Sequence, residues 1–169
     1  MTSRNLLIQL LVLFTLSGCA GFSDRAQEQA SSATIVNFKA DSDKGTSVAQ
    51  LMCFKRHLAP YIEIDRNVPP AEHEIFIRVV DYAYMLPALR DRTEWGGNIK
   101  KGSYLMLNAT LTAGQTVTIQ RRDKDRRSYV WLQDKVTGQA VSAVKFTTLK
   151  RQFNINSDYL DRECAKGTV

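Results

Sequence analysis

From Thr34 onward the apolar residues of this chain recur at every second position, and that period decides the fold class. In HEIFIRVVD (residues 73–81), Ile75, Ile77 and Val79 fall on one face, with Glu74, Phe76 and Arg78 on the other. Such alternation suits a half-buried strand and not a helix, whose side chains realign every 3.6 residues. Pro69-Pro70-Ala71-Glu72 ahead of it is turn chemistry that stops a preceding segment. YLMLNATL (residues 104–111) places Leu105, Leu107, Ala109 and Leu111 on one face, and Ala113-Gly114-Gln115 turns the chain into TVTIQ with Val117 and Ile119 inward. That pattern reads as a hairpin. A second hairpin is expected from YVWLQ (residues 129–133), through Asp134-Lys135-Val136-Thr137-Gly138, to a strand over 139–149.

Two weaker strands lie earlier, at 34–38 and 61–64. Segment 47–57 can be a short strand or a helix, and Val48, Leu51 and Met52 lean helical. Ser157-Asp158-Tyr159-Leu160-Asp161-Arg162-Glu163-Cys164 reads as a short helix with a polar cap. Six or seven short strands at this spacing imply a mainly β fold over residues 34–169: a single antiparallel β-sandwich with a short C-terminal helix. A length of 169 residues suits one domain, and 44% hydrophobic content excludes an intrinsically disordered chain. The order PAEHEIFIRV, YLMLNATLTAGQTVTI, YVWLQDKVTGQAV resembles the small sandwiches of transthyretin or immunoglobulin type found on envelope lipoproteins. The likeness is one of pattern, so it carries over no functional residues.

The first 19 residues, MTSRNLLIQLLVLFTLSGC, have a different character. Arg4 precedes an apolar run from Leu6 to Leu16, about half the ~20 residues that a membrane-spanning helix needs but right for a signal-peptide core. Leu16-Ser17-Gly18-Cys19 follows directly and resembles the lipobox of bacterial lipoproteins. The resemblance implies a signal peptide over residues 1–18, cleavage before Cys19, and acylation of Cys19. Ala20 rather than aspartate follows the cysteine, which by the same resemblance implies transfer to the outer membrane. Residues 19–33, beginning with Cys19 and continuing as AGFSDRAQEQASSA, are small and polar and read as a lipidated flexible tether. The expected location is therefore the periplasmic face of a Gram-negative outer membrane.

Lipidation would leave Cys53 and Cys164 as an even pair in an oxidising compartment, 111 positions apart. They are expected to form one disulfide, the alternative being two separate buried thiols.

No catalytic constellation is present: the sequence holds no G-x-S-x-G, H-E-x-x-H or C-x-x-C. The expectation is a protein that is not an enzyme and takes no cofactor. His57 lies in Lys55-Arg56-His57, whose cations oppose metal binding, and His73 between Glu72 and Glu74 reads as a surface ion pair. No metal site is expected, and the extracytoplasmic address argues against nucleic acid.

Two features remain for a partner. Arg121-Arg122-Asp123-Lys124-Asp125-Arg126-Arg127 joins two strands. It is either a basic edge for anionic envelope material or a solvated loop whose cations guard strand edges. The connection from 82 to 102 holds Tyr84, Arg90, Arg92 and Trp95. Aromatics beside arginines have the composition of an interaction hot spot. The expected function is a membrane-anchored, non-catalytic interaction or assembly module of the envelope or a secretion system. The alternative is a carrier for an apolar or anionic envelope ligand.

Overall fold

The computed structural model describes residues 31–59, 65–83, 99–151 and 157–169. The chain forms β1 (Ala33–Val36), β2 (Phe38–Ser42), β3 (Gly45–Leu51), β4 (Cys53–Phe54), β5 (His57–Leu58), β6 (Arg66–Val68), β7 (Glu72–Tyr82), β8 (Ile99–Thr110), β9 (Thr116–Lys124), β10 (Arg127–Asp134), β11 (Lys145–Thr147) and one C-terminal helix, α1 (Ser157–Cys164). A five-stranded sheet of order β11-β10-β9-β1-β6 packs on a four-stranded sheet of order β2-β3-β7-β8, with β4 and β5 as a separate small hairpin. The mainly β sandwich and the terminal helix agree with the period-two pattern. One pairing breaks the antiparallel rule: β1 lies parallel to β9, Ile35 opposite Val117.

The core sits where alternation places it. Ile75, Ile77 and Val79 of β7 and Leu107 of β8 are fully buried, and face Ile35, Val117, Ile119, Val130 and Leu132 of the other sheet. Ala33, counted by sequence with the tether, is the first residue of β1 and is fully buried. Segment 47–57, which leaned helical, is strand instead. Val48 faces out, while Ala49 and Leu51 pair with Val79 and Ile77 across the sheet and fill the core. Gly45 starts this strand so close to β7 that a Cβ there would lie 2.0 Å from the Tyr82 carbonyl oxygen. Its φ of +123° also suits only glycine.

The first expected hairpin is corrected, while the second is kept in part: the turn at 134–138 returns the chain antiparallel to β10, through Ala140 opposite Gln133 and β11 beside β10. The turn at Ala113-Gly114 does not join paired neighbours: β8 belongs to the four-stranded sheet and β9 to the five-stranded one. It is a crossover between layers, with Gly114 at φ +73°. β9 instead forms a hairpin with β10, with eight paired positions from Val117–Asp134 to Lys124–Arg127. Asp125 and Arg126 form its two-residue turn at φ +53° and +62°, the left-handed pair that matches strand twist. The cationic run is thus mostly strand.

Beyond β10, the expected strand over 139–149 is broken up. Ala140 bridges to Gln133, Ser142 to Ala109 of β8, and Lys150 to Gly102 of β8, with β11 pairing β10 between them. This segment laces the two sheets together along one side. On the other side the chain passes from β1 into β2 through Asn37, whose side-chain oxygen accepts from the Leu51 N–H at 2.8 Å. The weak strand expected at 61–64 lies outside the described residues.

Candidate functional site

Cys53 and Cys164 form a disulfide, their Cα atoms 5.3 Å apart. With Met52 and Leu160 they make a second buried cluster, against which Leu58, Phe76 and Tyr104 pack. Phe76 points to the outer face of the four-stranded sheet, so α1 and the β4–β5 hairpin cover one end of that face. The Leu58 N–H donates to Asp161 at 3.0 Å, and the Thr168 hydroxyl accepts from the Glu74 N–H at 2.8 Å. His73, expected as a surface ion pair, is buried between Pro69 and Thr168. One ring nitrogen lies 2.7 Å from the Pro69 carbonyl oxygen and the other 3.3 Å from the Thr168 hydroxyl. A structural disulfide of this kind belongs to an oxidising compartment outside the cytoplasm.

The seven-residue cationic run divides into an inner and an outer set, because β9 alternates through it. Arg121 follows Val117 and Ile119 inward, and its side chain is 1% exposed. This corrects the expectation that Arg121 faces a partner. Its Nη1 donates to the carbonyls of Val48 and Val80 at 3.1 and 3.0 Å, and its Nη2 to Asp81 at 2.7 Å and Asp123 at 2.9 Å. Its Nε donates to Asp123 at 3.0 Å. All five guanidinium N–H groups thus have acceptors, and the side chain clasps β9 to β3 and β7 of the opposite sheet. Burial by itself raises the Asp81 pKa, but the Arg121 charge and hydrogen bonds from Arg121, Lys101 and Ser47 outweigh it. The carboxyl ends below its ordinary value.

Arg122, Lys124 and Arg127 take the outward positions, and Arg126 caps the turn. Register sets them in rows across the five-stranded sheet. Arg127 pairs with Lys124; Phe146, Tyr129 and Arg122 lie side by side; Trp131 pairs with Gln120. The Tyr129 and Phe146 rings are 6.0 Å apart, and the Arg127 guanidinium lies 4.6 Å over the Phe146 ring. Phe146 is 55% exposed and Val144 beside it 57%. Of the outward cations, Arg122, Lys124 and Arg126 form no ion pair with any described residue. Asp123, their one carboxylate neighbour within the strands, is held inward by Arg121 and Ser128. The sequence reading singled out the arginines but missed Tyr129, Trp131 and Phe146. For Tyr129 and Trp131, alternation carried the signal: Val130 and Leu132 point in, so their neighbours point out.

The four-stranded sheet hides its outer face as well as its inner one. Thr46, Val48, Gln50, Arg78, Val80 and Tyr82 all point away from the core yet are buried. Burial lowers the Arg78 pKa and raises that of Tyr82, each partly offset by the other. Cys19, Tyr84, Arg90, Arg92 and Trp95 lie outside the described residues. Among the described residues, no His, Cys, Asp and Glu side chains gather as metal ligands and no helix is long and apolar enough to cross a membrane. Comparison with protein-family models, with curated proteins and with solved structures finds no match.

Proposed function

We propose that this chain is a lipid-anchored, non-catalytic interaction module of a bacterial cell envelope, held at the periplasmic face of the outer membrane by an acylated Cys19. The observation that carries this reading is a conjunction within one chain. A lipobox-like Leu16-Ser17-Gly18-Cys19 precedes a domain stapled by Cys53–Cys164. Both features support an extracytoplasmic address, and they rest on different chemistry. The buried polar groups Arg121, Asp81 and His73 support a non-catalytic role, because each is committed to bonds that hold strands together. The contact surface in this reading is the outward set Arg122, Arg126 and Arg127 with its neighbouring aromatics. Mass spectrometry of the chain purified from bacterial membranes should find a diacylglyceryl-modified Cys19 at the new N-terminus. Chemical crosslinking in intact membranes should then capture one envelope component, protein or lipid, at the basic face. An unmodified Cys19, or a Cys19→Ser chain that is still processed and membrane-bound, overturns the anchor.

The carrier alternative gains little support from the interior, because side chains from both sheets fill the space between them. The concavity that favours it is a shallow groove of about 390 Å³ between β8 and residues 140–143, lined by Glu72, Asn108, Thr110 and Ser142 among others. Native mass spectrometry of the mature chain tests it: a retained ligand supports a carrier, and a bare mass removes it.

A further inference from the structure

The outer face of the five-stranded sheet has three properties that point to one class of partner. It is net cationic: Arg122 and Lys124 enter no ion pair with any described residue, and Arg126, next to Asp125 in the adjoining turn, adds a third such cation. It is aromatic in the same rows, with Tyr129, Trp131 and the 55%-exposed Phe146 beside those cations. It is also laid out along the strands. The cations gather at the Asp125-Arg126 turn, aromatics hold the middle, and neutral Gln120, Thr118 and Thr34 continue away from the turn.

We propose that this face docks flat on an anionic lipid surface, with arginine and lysine on the headgroup phosphates and Trp131, Tyr129 and Phe146 at the headgroup–acyl boundary. Cations near an anionic membrane each add about 1 kcal/mol, a fivefold change in binding. Aromatic rings with one polar edge, here Trp131 and Tyr129, settle at that same depth, and the apolar Phe146 ring beside Tyr129 adds buried area. An acidic protein would satisfy the charges but leaves the exposed Phe146 and Val144 pair without an obvious counterpart.

The inference rests on the lipid-anchor reading for its geometry. Ala33 lies 14 residues after Cys19, so the connecting chain can span up to about 45–50 Å. The strand from Thr116 to Lys124 covers only about 27 Å at ~3.3 Å per residue. An anchored chain can therefore lay the whole sheet on the bilayer that holds it. Tethering also makes docking intramolecular, so weak contacts suffice.

The test uses the full chain purified from bacterial membranes and reconstituted into vesicles, with Gln120→Cys labelled by an environment-sensitive fluorophore. Lys44→Cys, on the exposed turn between β2 and β3, serves as a control position. Intact mass reports acylation of Cys19 separately. The expected result is an emission gain at position 120, not at 44, in vesicles containing phosphatidylglycerol and not in pure phosphatidylcholine, reversed by high salt. Arg122→Gln, Lys124→Gln and Arg127→Gln should each lower the docked-to-undocked ratio about fivefold. An acylated chain whose position 120 stays dark in both vesicles overturns docking, as does an equal response to both. A response only after adding envelope proteins overturns the lipid surface in favour of a protein partner. A response to phosphatidylglycerol with an unmodified Cys19 supports docking and removes the anchor instead.

Discussion

Replacing Arg121 by methionine tests the clasp that joins the two sheets. The substitution keeps most of the aliphatic stem and removes five donated hydrogen bonds. Those to Asp123 count for little, because that carboxylate is half-exposed and water replaces the lost donors. The other three matter more. Asp81 is 16% exposed and loses its main cation, and the Val48 and Val80 carbonyls lose a charged donor. Breaking one side of a buried pair costs about 3–5 kcal/mol, and the residual exposure of Asp81 places the expectation at the lower end, near ~3 kcal/mol. Urea unfolding of the disulfide-intact chain measures it for Arg121→Met, Asp81→Asn and the double variant. The double variant should cost less than the two singles together, since it leaves no buried charge behind. The pH dependence gives a second check. In the native chain the folded Asp81 pKa lies below its unfolded value. Its contribution is therefore present at neutral pH and is lost as pH falls below the ordinary aspartate range. Without Arg121, the two largest influences that lower the Asp81 pKa are gone, so this part of the acid limb should flatten. A methionine variant within about 1 kcal/mol of the native chain, with the same acid limb, refutes the clasp.

The disulfide closes a 111-residue separation, so Cys53→Ala with Cys164→Ala should lower stability by up to about 5 kcal/mol on a chain-entropy basis; a loss under ~1 kcal/mol in denaturant unfolding contradicts that role. Asp125-Arg126→Asn-Gly should raise stability by about 1 kcal/mol, because both native residues hold positive φ without glycine; an unchanged urea midpoint counts against turn strain. The Asp134 carboxylate accepts from the Thr137 N–H first, then from the Gln115 side chain, and its pKa is pulled down to about 2 from 3.8. Its contribution is complete above pH 3.8 and fades as pH falls toward 2, so Asp134→Ala should flatten that part of the acid limb. Thr168→Ala should cost about 1–2 kcal/mol, since it removes a partner of both His73 and the Glu74 N–H; thermal unfolding at neutral pH reads it.

The interior was legible because it follows one rule. Ile75, Ile77, Val79, Val117 and Ile119 alternate with outward residues, and all five are fully buried. The connections were not legible, because pairing partners depend on which layer a strand enters. Gly114 makes a turn in either case, and only the packing of β8 and β9 into different sheets settles that it is a crossover. Segment 47–57 was misleading for a related reason. Val48, Leu51 and Met52 are all buried, but on two faces, and a strand covered on both sides loses its period of two. Tyr84, Arg90, Arg92, Trp95 and Cys19 lie beyond the described residues, so the pattern in the sequence is what speaks for them.

The cationic run shows where composition and period part company. Read as charge, seven residues with five cations form one feature, a basic loop. Read as strand, positions 121 and 123 share the face of Val117 and Ile119, with Arg121 buried and Asp123 at its exposed margin, while 122 and 124 take the opposite face. The same arginine type then does two unlike things one residue apart. Arg121 reaches a desolvated corner where all five donors find acceptors, and it fixes how the sheets pack. Arg122 remains in water beside Tyr129 and is available to an anion. The two roles are coupled through Asp123. Because Arg121 and Ser128 hold that carboxylate inward, the outer face keeps its positive charge instead of neutralising itself along the strand.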